Sequence, residues 1–148
     1  MEFGWINLLG AIIIALIMIP NIIYAIKNKG QQADEPHYKV MLIIEQIGRY
    51  ACIVFMWLPL LVWKFGFNSM AEMFVYIISN AILLVAYYTF WVLYSRKKKK
   101  VIALTLAILP TCIFLISGIL LHHWLLVISA ILFGIGHVYI TSEGKYVA

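Results

Sequence analysis

The chain has 148 residues, of which 65% are hydrophobic and 11% are charged, and its formal net charge is +5 at pH 7. Soluble globular domains carry about 25% charged residues, so this composition excludes a soluble globular protein. Because a bilayer core of about 30 Å needs roughly 20 apolar residues in a helix, we predict an all-α integral membrane protein. Its single transmembrane helical domain covers residues 1–148.

Five apolar segments follow one another along the chain, and each is predicted to cross the bilayer as a helix. They cover residues 4–26, 40–63, 71–94, 101–121 and 125–141. No basic residue precedes Lys27, which argues against reading the first segment as a cleavable signal peptide. The last segment is the shortest, so a bundle of four spans plus a re-entrant segment is the alternative fold.

The basic residues are distributed unevenly between the connections. Every Lys and Arg except Arg49 and Lys64 lies after the first segment, after the third segment or in the C-terminal tail. The positive-inside rule places such loops in the cytoplasm. The sequence therefore predicts an N-terminus outside and a cytoplasmic C-terminus.

The loop after the third segment holds a run of five basic residues: Arg96, Lys97, Lys98, Lys99 and Lys100. Each basic residue near a membrane surface attracts anionic headgroups by about 1 kcal/mol. We therefore expect this run to contact anionic lipid, with the bilayer as its partner. A nucleic acid partner is not expected, since a short loop held at the membrane offers no platform for bases.

Two charged residues lie inside the second segment, where ionisable groups are costly and normally pair. Glu45 and Arg49 have the i, i+4 spacing and the Glu-first order that favour an ion pair. With a rise of 1.5 Å per residue, they lie about 9 Å and about 15 Å above the cytoplasmic start of the segment. The predicted topology brings further polar residues to the same half of the membrane: Asn21, Tyr24, Tyr87, Tyr88 and His137.

This convergence supports two interpretations of the polar residues. In the first, the seven residues line a ligand-binding site, where the planar guanidinium of Arg49 binds an anionic or carbonyl-bearing ligand. In the second, Glu45 and Arg49 only neutralise each other and fix helix packing. The sequence alone leaves both open.

Other polar and small residues point to packing rather than chemistry. Asn80 is predicted to form an interhelical hydrogen bond. Ala130 and Gly134 are predicted to form a flat strip on the fifth segment, which Gly136 extends. His122 and His123 are adjacent in a turn, so their side chains diverge. The chain has no Cys-x-x-Cys motif, so neither a zinc site nor thioredoxin-like redox chemistry is suggested. No metal, cofactor or catalytic residue is predicted.

The stretch IPNIIYAIK at residues 19–27, followed by EQIGR at residues 45–49, resembles small bacterial multi-pass membrane proteins of unknown activity. The resemblance covers the first two segments. It implies a location in the bacterial plasma membrane and transfers no activity or residue role.

Three functions are compatible with the sequence. The first is binding or transport of a small polar or amphiphilic ligand, for which a homodimer or a partner membrane subunit is expected because five helices are few for a transporter. The second is an accessory or structural membrane subunit. The third is a lipid-headgroup enzyme, which is disfavoured because the chain shows no nucleophile elbow, no His-Glu-x-x-His motif and no paired aspartates.

Overall fold

The computed structural model describes residues 7–30, 39–58 and 66–143, and this part of the chain forms five α-helices. They are α1 (Leu8–Lys27), α2 (Lys39–Trp57), α3 (Met70–Arg96), α4 (Lys100–Leu120) and α5 (Trp124–Glu143). All five are long and apolar enough to cross a membrane. The prediction of an all-α five-helix bundle is confirmed, and α5, with 20 residues, is as long as α1.

Some of the predictions lie outside the described residues. These are residues 4–6 of the first segment, residues 59–63 of the second segment, Lys64 and the C-terminal tail after residue 143. Which end of the bundle faces the cytoplasm stays a prediction. We call the end that carries Lys27, Lys39, Arg96 and Lys100 the basic end.

The helices form a ring in the order α1, α2, α5, α4, α3. Contacts are most extensive between α2 and α5, followed by α4 with α5 and α3 with α4, whereas α1 touches α2 and α3 less extensively. Neighbouring side chains show that α2 and α5 are antiparallel, since Gly48 meets Phe133 and Gly136 meets Glu45. The polar residues predicted to share one half of the membrane contact one another in one half of the ring, next to the basic end.

Glycines set the distance between α2 and α5. A Cβ atom on Gly48 would lie 2.5 Å from the backbone nitrogen of Phe133, and one on Gly136 would lie 2.9 Å from that of Glu45. Glycine lets helix backbones approach this closely in a membrane. The predicted single strip is wrong in one respect: Gly134 contacts Thr111 of α4 while Gly136 contacts α2. Residues two apart on a helix are about 200° apart around its axis, so α5 uses two faces.

A proline inside α1 explains a hydrogen bond between α1 and α3. Pro20 has no N–H, so the Leu16 carbonyl, four residues earlier, lacks its helical donor. The hydroxyl of Tyr88 donates to this carbonyl at 2.7 Å. Between α3 and α4, Ser117 Oγ lies 3.4 Å from Asn80 Oδ1, which confirms the interhelical bond predicted for Asn80.

At the end of the bundle opposite the basic end, buried polar side chains form hydrogen bonds with helix backbones. The backbone N–H of Asn7 donates to the Trp57 carbonyl at 2.8 Å, and its side-chain amide donates to the Met56 carbonyl at 3.2 Å. The His123 side chain is fully buried, and its Nδ1 accepts the backbone N–H of Leu126 at 3.2 Å. His123 is therefore the N-cap of α5, a role that satisfies one of the free N–H groups of the first turn.

Because of this cap, we predict that the free energy of unfolding depends on pH. Burial lowers the pKa of the His123 imidazole below its ordinary value, because the charged form is costly away from water. The cap itself needs an unprotonated Nδ1. The stabilisation is therefore present above the ordinary imidazole pKa of about 6.5 and is lost as the pH falls through the lower folded-state pKa. We expect the free energy of unfolding to fall in that window by up to about 1.4 kcal/mol per pH unit.

The measurement is equilibrium unfolding between pH 7.5 and pH 5 for the wild type and two histidine variants. His123→Asn keeps a capping oxygen and should lose this part of the pH dependence. His122→Asn is the control, because His122 is exposed and its φ of 55° is one that asparagine tolerates. An unchanged pH profile in His123→Asn would contradict the role of the cap.

Candidate functional site

The centre of the candidate site is the carboxylate of Glu45, whose residue is only 2% exposed. Its Oε1 atom accepts a hydrogen bond from Nη2 of Arg49, four residues on, so the structure contains the ion pair predicted from the spacing. Nδ1 of His137 lies 3.2 Å from the same oxygen, in a geometry that is not that of a hydrogen bond. One carboxylate oxygen is therefore approached by two nitrogen-bearing side chains from two helices.

His137 is held in place by its own helix. Its ring stacks on that of Phe133 with a centroid distance of 4.9 Å and an interplanar angle of 18°. Both residues lie on α5, four positions apart, and Gly136 brings the α5 backbone against that of Glu45. The imidazole thus has a fixed position relative to the carboxylate.

Arg49 differs from Glu45 in exposure, because its side chain is 33% exposed. Among the described residues, the hydrogen bond to Glu45 is the one that its guanidinium makes. A guanidinium has five N–H donors. Glu45 is therefore buried, whereas Arg49 keeps N–H donors that bond to none of the described residues.

Further donors come from α1 and α3. The side-chain amide of Asn21 donates to the Tyr87 hydroxyl at 2.9 Å and to the Ile17 carbonyl at 3.1 Å. The Tyr87 hydroxyl is within electrostatic range of the Arg49 guanidinium and lies near the indole N–H of Trp91. That N–H is buried and has no acceptor with hydrogen-bond geometry.

We call these side chains the Arg49 cluster: Asn21, Glu45, Arg49, Tyr87, Trp91 and His137. Helices α1, α2, α3 and α5 all contribute to it. It contains one carboxylate and several donors, which is a surplus of hydrogen-bond donors. Buried donors without acceptors are unfavourable, so the cluster is chemically suited to an acceptor with negative charge or carbonyl oxygens.

Two of the predicted ligand residues have other contacts. The Tyr88 hydroxyl is bonded to the Leu16 carbonyl. Tyr24 packs in an aromatic group near the basic end, with ring centroids 5.3 Å from Trp91 and 6.0 Å from Tyr94. Both residues therefore border the Arg49 cluster and support the α1–α3 contact, and their part in ligand binding stays a prediction.

The basic run lies where the sequence places it. The residues from Arg96 to Lys100 are exposed, and they cover the end of α3, the connection and the start of α4. Contact of this run with anionic lipid stays a prediction.

The structure shows two side-chain contacts that the predicted site lacks. They are the stacking of Phe133 on His137 and the approach of Trp91 to Tyr87. Both pairs have i, i+4 spacing, which places side chains on one helix face. This spacing is the sequence pattern from which both contacts could have been predicted.

The described residues contain no group of three His, Cys, Asp or Glu side chains that could hold a metal ion. Comparison of the chain with protein-family models, with curated proteins and with solved structures finds no significant match. The functional argument therefore depends on the Arg49 cluster.

Proposed function

We propose that this multi-pass membrane protein binds, and in an assembled form transports, a small ligand that carries an anionic or carbonyl group. The supporting observation is Arg49, whose side chain is 33% exposed and whose guanidinium bonds only to Glu45 among the described residues. Arg49 would be the principal ligand contact, and Glu45 would hold its side chain in place. Asn21, Tyr87, Trp91 and His137 would complete the wall.

The chemistry of arginine favours this ligand class. A guanidinium stays charged in apolar surroundings and matches pairs of oxygen atoms with its planar fork. Ionisable residues inside a membrane are rare and usually mark a functional site. An anionic ligand would supply the acceptors that the cluster lacks.

The proposal includes the location and orientation of the protein. The resemblance of residues 19–27 and 45–49 to bacterial membrane proteins supports a bacterial plasma membrane. The basic residues at the ends of α1 and α3 and at the starts of α2 and α4 support a cytoplasmic basic end. The Arg49 cluster would then lie in the cytoplasmic half of the bilayer.

The test is native mass spectrometry of the purified protein in mild detergent. We expect a bound small molecule or lipid on the wild type and on the control Lys29→Ala, which removes an exposed basic residue outside the basic run. The adduct should be missing from Arg49→Ala, while circular dichroism shows that this variant stays helical. An adduct that persists in Arg49→Ala, or no adduct on any of the three proteins, would overturn the proposal.

A second candidate is an accessory or structural membrane subunit. It is favoured by the backbone contact of Gly136 with Glu45, since this contact fixes the charged pair without any ligand. In that case the purified protein would carry no adduct and would be recovered with partner subunits. The paired replacement of Glu45 and Arg49 by apolar residues would leave that assembly intact.

A further inference from the structure

Access to the Arg49 cluster depends on how α1 meets its two neighbours. The close contacts of α1 with α2 lie at the end opposite the basic end. There Asn7 bonds to Met56, and a Cβ atom on Gly10 would lie 2.2 Å from the Met56 carbonyl oxygen. Among the described residues, no hydrogen bond joins the two helices nearer to the basic end.

In the other half, α1 is bonded to α3. Asn21 bonds to Tyr87 there, and Tyr24 packs on Trp91 and Tyr94. Helix α1 thus crosses from α2 to α3 along its length. We call the boundary between the basic halves of α1 and α2, where the described residues form no hydrogen bond between the two helices, the α1–α2 gap.

The position of Arg49 on its helix turns its side chain toward this gap. Glu45 and Gly48 face α5, and the exposed face of α2 carries Ile43, Ile47 and Val54. Arg49 precedes Met56, the α2 residue that contacts α1, by seven residues, which return to within about 20° of the same helix face. Arg49 therefore lies on the α1 side of the buried face of α2.

Two other boundaries of the cluster are closely packed. The glycine contacts leave no space between α2 and α5. The aromatic group of Tyr24, Trp91 and Tyr94 fills the space between α1 and α3 near the basic end. Among these boundaries, the α1–α2 gap is the one for which the described residues show no such contact, so it is the side route to the exposed third of the Arg49 side chain that the geometry favours. In a bilayer this route would open sideways to the hydrocarbon.

The depth of the guanidinium limits what can reach it by this path. Side chains on a helix point back toward its N-terminus, and the bond to Glu45 holds the guanidinium near the level of that residue, about 9 Å from the start of α2. A fully soluble anion would have to cross apolar surroundings to arrive there. An amphiphile can place its headgroup at this level while its chain stays in lipid.

From this geometry we infer that the ligand is a single-chain anionic amphiphile with a compact carboxylate or phosphate headgroup, which enters from the bilayer through the α1–α2 gap and binds Arg49. The inference rests on the proposed function and specifies its ligand class. The headgroup takes up the free donors of Arg49, and the alkyl chain lies between α1 and α2. The exposed basic run at the basic end attracts such anions to the same side of the membrane.

The test uses matched pairs of probes on the full-length protein in an uncharged detergent. Dodecyl phosphate is compared with inorganic phosphate, laurate with acetate, and dodecanol serves as the uncharged control. We expect the two anionic amphiphiles to bind with saturation at one site, roughly tenfold or more tighter than their short counterparts and than dodecanol. Arg49→Ala should lose roughly tenfold or more in affinity, whereas Lys29→Ala, which removes an exposed basic residue outside the basic run, should not.

A second variant tests the path. Gln46 is half-buried on the same flank of α2 as Arg49, and Gln46→Trp should narrow the gap and weaken amphiphile binding while Arg49 remains. Equal binding of the short anions, or no effect of Gln46→Trp, would overturn lateral entry and leave the proposed Arg49 site standing. Failure of every anion to bind in an Arg49-dependent manner would overturn both.

Discussion

Replacing Glu45 with leucine should lower the free energy of unfolding by about 3–5 kcal/mol, because the change leaves the charge of Arg49 without its partner inside the bundle. Glu45 is 2% exposed, and its carboxylate is the described acceptor for Arg49 and the neighbour of His137. The loss therefore includes an uncompensated charge as well as a hydrogen bond. Equilibrium unfolding in mixed micelles, followed by circular dichroism, measures it.

The control for this prediction removes both charges. The double variant Glu45→Leu with Arg49→Met keeps similar side-chain volume, and replacement of a whole buried ion pair by apolar residues is often neutral or stabilising. We expect it to regain most of the lost stability. A single variant as stable as the wild type would show that the pair is not buried as described. A stable double variant that binds no anion would separate ligand binding from folding.

Placing a methyl group on Gly48 or on Gly136 should force α2 and α5 apart. The new Cβ atoms would lie 2.5 Å from the backbone nitrogen of Phe133 and 2.9 Å from that of Glu45. Backbone atoms in a packed helix cannot rotate away as a side chain can. We therefore expect Gly48→Ala and Gly136→Ala each to cost about 1–3 kcal/mol, measured by the same unfolding assay.

The control for the glycine variants is Ala81→Leu, which enlarges an exposed side chain on α3 and should stay within about 0.5 kcal/mol of the wild type. The double variant Gly48→Ala with Gly136→Ala should lose more stability than either single change, since both contacts join the same helices. Wild-type stability in both single variants would refute the close approach of α2 and α5.

The sequence was sufficient to predict the number of helices and the ion pair of Glu45 with Arg49. Length and hydropathy determine where a helix can cross lipid, and the i, i+4 spacing of Glu45 and Arg49 determines their pairing. The order of helices in the ring could not be derived in this way. Apolar surface is equally satisfied by lipid and by a neighbouring helix, so hydropathy does not say that α5 packs between α2 and α4.

Site residues were predictable as a group but not in their individual partners. Topology brought Tyr87, Tyr88 and His137 to one half of the membrane, yet it did not show which hydroxyl meets a helix carbonyl. The Leu16 carbonyl is free to accept the Tyr88 hydroxyl because Pro20, four residues on, has no N–H to donate. The spacing of Leu16 and Pro20 is visible in the sequence. The exposure of Arg49 depends on how α1 packs beside α2, for which no local pattern gives a signal.

The ring order also has a consequence for biosynthesis. Helix α5 follows the other four along the chain, yet it makes the most extensive contacts, with α2 and α4. Until α5 has been inserted by the translocon, Glu45 lacks both the Gly136 backbone and His137 beside it. Packing at the centre of this protein is therefore completed after insertion: α2 enters the bilayer early with its charged pair uncovered, and α5, which is translated after the other four helices, completes the packing around it.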